Sequence, residues 1–225
     1  MRTQRVQFKN REGHQLTGRL VTPADRHPHN FVLFAHCFTC NKNLSALRNI
    51  GNALAREGFG VLRFDFTGLG ESDGDFGDTN FSGNVEDLED AARYLEENHE
   101  APSLLIGHSL GGAAVLFAAA RLPYVKSVAV IGAPADPGHV TRLLRSKVSE
   151  IEKEGKARVT IGGREFTIKK QFLQDLQSQS LPAVVHNLDT ALLILHSPQD
   201  QIVSIVNAEE IYREARHPKS FISLD

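Results

Sequence analysis

The sequence predicts an α/β fold: a mostly parallel, doubly wound sheet with an antiparallel N-terminal hairpin and a late insertion. Three observations carry that expectation. Short, nearly continuous apolar runs recur at 31–35, 60–64, 104–106, 125–131 and 192–195, as suits strands covered on both faces. Amphipathic helical patterns separate them, and strands alternating with helices give a parallel sheet with right-handed crossovers. One stretch, 136–187, breaks the alternation.

Taken in order, Val6-Gln7-Phe8 and residues 16–21 alternate apolar with polar around Asn10-Arg11-Glu12-Gly13. That is an antiparallel hairpin with one wet face. Leu44, Leu47, Ile50 and Leu54 share one helical face, and Gly58 is placed to stop that helix. Val85, Leu88, Ala92 and Leu95 do the same for a second helix. Its other face, with Glu86, Asp87, Glu89, Asp90, Glu96 and Glu97, reads as solvated. Within 136–187 lie a basic helix pattern over 140–154, a hairpin signalled by Gly162-Gly163 between two β-type runs, and a helix pattern over 171–177. An insertion on the side where active-site loops emerge reads as a lid. The expected organisation is a core of 1–135 and 188–225 with a lid of 136–187. Leu143, Leu144, Val148 and Ile151 suit either an apolar pocket wall or packing onto the sheet.

Bulk properties exclude several classes. A formal net charge of −2 gives no field to draw in nucleic acid or an anionic membrane. No apolar run approaches the ~20 residues needed to span a bilayer. The N-terminus, Met1-Arg2-Thr3-Gln4-Arg5-Val6, lacks an apolar signal core, so a cytoplasmic location is the default. The two cysteines, Cys37 and Cys40, are too few for a disulfide framework. No cofactor or metal is expected.

The most specific signal is Gly107-His108-Ser109-Leu110-Gly111. Small residues at these spacings let a strand turn abruptly into a helix and leave the serine exposed at the strand's C-terminal end. Both flanks agree, with 103–106 apolar before it and 112–118 helical after it. Ser109 is the candidate nucleophile of acyl transfer on a small-molecule substrate.

Here the chain resembles the α/β-hydrolases. His36-Cys37-Phe38-Thr39 follows the third strand, where that family carries its oxyanion loop. Asp65-Phe66-Thr67-Gly68-Leu69-Gly70-Glu71-Ser72 looks like the turn after its fourth strand, and His196-Ser197-Pro198-Gln199-Asp200 looks like the segment bearing the acid. The segment 35–40 and the 65–72 turn are also similar to bacterial proteins in which such a hydrolase precedes an OsmC-like domain, so a fused domain of that kind is one implied partner. The resemblance implies that Phe38 and Leu110 offer backbone N–H groups to the oxyanion and that Asp200 orients a histidine. It usually has glycine where Cys37 stands.

Two motifs need separate weighing. Cys37-Phe38-Thr39-Cys40 has a redox-pair spacing, but shaping of the oxyanion loop is the preferred reading. Gly68-Leu69-Gly70 lacks the third glycine of a dinucleotide loop, so a structural turn is preferred. The base is missing. The resemblance implies a histidine after the last strand, expected at 221–224, so the base and a final helix are expected beyond Asp225. Without it, turnover drops by roughly 10⁶-fold, and the chain as given is nearly idle. His139 or His186 folding over from the lid is a rival source. A hydrolase-like scaffold used only for binding is the non-enzymatic alternative.

Overall fold

The apolar runs become strands because each satisfies its backbone polar groups with neighbours while both faces are covered. A computed structural model describes residues 1–142, 144–161 and 163–224. The N-terminal hairpin is β1 (Arg2–Lys9) and β2 (Gln15–Thr22), paired antiparallel. Then follow β3 (Asn30–Ala35), α1 (Ser45–Arg56), β4 (Phe59–Phe64), α2 (Phe81–Asn98), β5 (Leu104–His108), α3 (Leu110–Ala119) and β6 (Ser127–Ile131). Between β6 and the next sheet strand come α4 (Val148–Glu154), β7 (Lys156–Ile161), β8 (Arg164–Lys169), α5 (Lys170–Ser178) and α6 (Leu181–His186). The chain returns through β9 (Ala191–His196), α7 (Val206–Glu214) and β10 (Lys219–Ser223).

The sheet order is β1-β2-β4-β3-β5-β6-β9-β10, parallel except where β2 meets β1 and β4. Its two faces are unequal. One carries the larger core, with Leu88, Ala91, Leu95, Val115 and Leu116 from α2 and α3 all buried. The other is smaller. There Leu47 of α1 packs on Val32, Phe34, Val61 and Ile106, while Leu193 and Leu195 of β9 are only partly buried.

Some expectations change. The 140–154 helix is broken: Pro137–Arg142 is a short 3₁₀ turn, and the α-helix begins only at Val148. Leu144 and Ile151 are fully buried with the main core, so they pack rather than line a pocket; Leu143 and Gly162 lie outside the described residues. α6 was not expected. It starts with proline in its first turn, where a missing N–H costs nothing. The acidic face of α2 is not simply solvated. Asp87 and Asp90 are buried, because the β1–β2 turn supplies partners: Asn10 donates to Asp87 at 2.9 Å, and Arg11 to Asp90 through both backbone and guanidinium. Buried carboxylates require such partners.

Candidate active site

Ser109 sits between β5 and α3 with φ 54° and ψ −126°. Among the described residues it is the non-glycine with positive φ, a strained conformation that a tight functional turn maintains. The surrounding glycines are dictated by close backbone approach. A Cβ on Gly107 would lie 2.3 Å from the Gly111 carbonyl oxygen, and one on Gly111 would lie 2.2 Å from that of His36. The Ser109 N–H donates to the Ile131 carbonyl at 2.9 Å, tying the turn to the end of β6. The Leu110 N–H opens α3, where the first amides have no intrahelical acceptor and the helix dipole favours negative charge.

The 36–44 loop approaches the same turn from β3. His36 is buried and anchors its start: the ring Nδ1 lies 2.8 Å from the Cys37 carbonyl oxygen, and the Phe66 N–H points at Nε2 from 3.4 Å. Burial lowers its pKa to about 4, so the ring is neutral with Nδ1 as donor. Lys42 anchors the other end with no side-chain exposure. Its ammonium donates to Asp65 at 2.5 Å, its N–H to the same carboxylate at 2.6 Å, and its carbonyl accepts from Arg63 at 2.7 Å. The 65–72 turn thus holds the loop. Gly70 is required there because a Cβ would fall 2.2 Å from the Asp65 carboxylate. Between the two anchors, Cys37 and Cys40 are joined by a disulfide. Among the described residues the Phe38 N–H makes no hydrogen bond.

Asp200 lies in the turn after β9. Its Oδ1 accepts the Ile202 and Val203 N–H groups at 2.9 Å each. Its Oδ2 faces the end of β6, where a Cβ on Gly132 would come within 3.3 Å. Ser109 follows β5 and Asp200 follows β9, the two strands that flank β6, so the serine and the carboxylate stand on either side of the end of β6. No described histidine is hydrogen-bonded to Ser109. His196 gives Nε2 to the Val203 carbonyl at 2.7 Å and stays 3.7 Å from Asp200. His139 contacts the Ile202 carbonyl instead. His108 has a pKa lowered by burial, opposed by the Asp200 charge, and its Nδ1 is buried without a partner.

The 137–186 segment packs on the loop that bears Phe38. Phe172 of α5 lies 5.0 Å from the Phe38 ring, Phe76 lies 5.4 Å from it, and Phe166 of β8 lies 5.0 Å from Phe76. Arg164 donates to the Thr39 carbonyl at 3.2 Å, and Asp175 accepts from the N–H and hydroxyl of Ser82. Lys42 could not be singled out from its local sequence: a lysine among asparagines reads as surface, and only its partner Asp65, beyond α1 and β4, explains its burial.

With this geometry in view, the comparisons are decisive at the family level. The family described as serine aminopeptidase, S33, matches residues 26–153, more than half of the chain. The chain belongs to this α/β-hydrolase family. A solved esterase domain of a Rhodothermus marinus protein is 51% identical, with a TM-score of 0.80, over 100% of this chain and 88% of that one. Mouse palmitoyl-protein thioesterase ABHD10, mitochondrial, is 31% identical over 65% of this chain, and the rat protein of the same name is 29% identical over 76%. These matches span only 50% and 59% of those two relatives' lengths. The mouse ABHD10 structure superimposes with a TM-score of 0.80 over 99% of this chain and 89% of that one, at 22% identity. No described helix is long and apolar enough to cross a membrane.

Proposed function

We propose that this chain carries the acyl-transfer machinery of a carboxylic ester or thioester hydrolase, with Ser109 as nucleophile. The observation that carries this reading is the strained Ser109 turn at the start of α3, with the loop after β3 packed against its Gly111; in the reading, the Phe38 and Leu110 N–H groups are the oxyanion donors. The Ser109 oxygen attacks the acyl carbonyl, and the oxyanion is met by these N–H groups, each such donor being worth roughly 2.7–4 kcal/mol. The alcohol or thiol leaves, and water then hydrolyses the acyl-serine. Asp200, with Oδ1 held and Oδ2 open, is the acid that orients the base. Residues 136–187 act as the lid over an acyl pocket. Esters and thioesters are favoured because the similar proteins are named as an esterase domain and as thioesterases.

In this proposal a histidine brought against Asp200 serves as the base. The Leu224 N–H donates to the His196 carbonyl at 2.9 Å, so the end of β10 lies alongside the strand end that precedes Asp200. A fluorophosphonate probe applied to the full protein tests the reading. Covalent labelling of Ser109 with turnover of p-nitrophenyl acetate is expected. A folded protein in which Ser109 stays unlabelled would make this a binding scaffold instead.

A further inference from the structure

The Cys37–Cys40 disulfide has no part in the hydrolytic steps, yet it encloses the residue whose N–H they use. The chain has two cysteines and both are in this bond. The cross-link spans a sequence separation of 3. Closing so short a loop does little to the unfolded chain, because that contribution grows with loop length. Its effect is therefore local, on the turn Cys37-Phe38-Thr39-Cys40.

The Phe38 ring of that turn is packed against Phe76 and Phe172, but its backbone is the least anchored part of the loop. His36 before it and Lys42 after it are buried and hydrogen-bonded. The backbone of the turn itself has the Cys40 N–H to Cys37 carbonyl bond at 3.1 Å and the Arg164 contact to Thr39 at 3.2 Å. Both cysteines are half-buried rather than sealed in the core, so a small thiol can reach them. α1 begins only at Ser45, so neither sulfur sits on a helix N-terminus as in a thioredoxin-type pair. The placement suits a bond that controls its own loop rather than one that oxidises other proteins.

We propose that Cys37–Cys40 is a reversible thiol–disulfide site whose oxidised form holds the Phe38 N–H in place for catalysis. The proposal rests on reading Phe38 as an oxyanion donor. The reductant is a dithiol. One of its thiolates attacks a cysteine sulfur, the S–S bond breaks, and the other cysteine leaves as thiolate and takes a proton. The second dithiol sulfur then resolves the mixed disulfide. The protein gains two electrons and two protons, and the dithiol becomes a disulfide.

The test equilibrates the full protein in graded ratios of reduced to oxidised dithiothreitol. Trapped thiols are counted by mass, amide exchange is followed in peptides covering 37–44 and 105–116, and Ser109 labelling and kcat are measured in each state. Full deletion of an oxyanion donor costs about 10²–10³-fold in kcat. Reduction loosens the donor without removing it, so a fall on the order of 10-fold is expected, reversed on reoxidation. Exchange should quicken in 37–44 and stay constant in 105–116. Cys40→Ser should show the reduced-state exchange in every buffer. Thiols that do not respond to the ratio, or exchange that is the same in both states, overturn the proposal. So does a kcat indifferent to redox state in a protein whose Ser109 labels. If Ser109 never labels while the 37–44 exchange responds, the hydrolase reading falls and the redox-controlled loop stands.

Discussion

Around Phe38 the chain is pinned by side chains from distant elements, whereas around Asp200 it is held by its own local backbone. The Phe38 loop is fixed by the Lys42–Asp65 pair, by His36 against Phe66 and by Phe172 from α5. The Asp200 turn is fixed by two N–H groups two and three residues further along. Beyond it, β10 leaves Phe221 41% and Ile222 47% exposed, while Val32, Leu33 and Phe34 in β3 are buried completely. In the proposed reading, the donor loop is thus held by tertiary contacts, while the acid turn lies toward the thinly covered edge of the sheet.

Four measurements probe this contrast. The largest effect is on chemistry: Ser109→Ala in the full protein should lower kcat by about 10⁶-fold while leaving the fold intact by circular dichroism. Residual turnover near wild type would move the nucleophile elsewhere. Next, Lys42→Met strands the Asp65 carboxylate in the interior. Removing one partner of a buried ion pair costs about 3–5 kcal/mol, read by urea unfolding. A loss under ~1 kcal/mol would show that the loop does not depend on that pair.

The third effect is on pH. Burial holds His36 at about 4, against 6.5 for a free histidine. Between those values the unfolded chain binds a proton that the native chain does not. This contribution to stability is full above pH 6.5 and is lost as the pH falls toward 4, at a slope of up to about 1.4 kcal/mol per unit. His108, also lowered by burial, adds in the same direction. His36→Asn should flatten the slope over that window; an unchanged slope would assign it to other groups. The smallest effect is at the edge. Phe221→Ser in the 225-residue chain should shift stability by no more than about 0.5 kcal/mol, as at other surface positions. A cost above ~2 kcal/mol would mean that β10 is as integrated as β3.

How much of this was legible beforehand follows from the range of each interaction. The strands and most of the helices could be read because their patterns repeat within a few residues. The Ser109 turn could be read because its residue pattern is compact: Gly107 is demanded by the carbonyl of Gly111 within the turn, although Gly111 is demanded by His36 from the loop after β3. The 140–154 pattern failed at the 3₁₀ turn because a run of basic and apolar residues does not reveal where tertiary packing interrupts a helix. The acidic face of α2 was misjudged because its partners, Asn10 and Arg11, come from the opposite end of the chain segment.

The features written into short stretches of residues are the parallel-strand runs, the hairpin at the N-terminus, the elbow at Ser109 and the turn aspartate at position 200. Folding alone buries Lys42, makes Asp65 its counter-ion, bonds the cysteines across Phe38 and leans α5 on the same loop. Desolvation draws that line. A charge or a polar backbone group is read as exposed until its partner is known, and the partners of Lys42, Asp87 and Asp90 are brought to them by the fold.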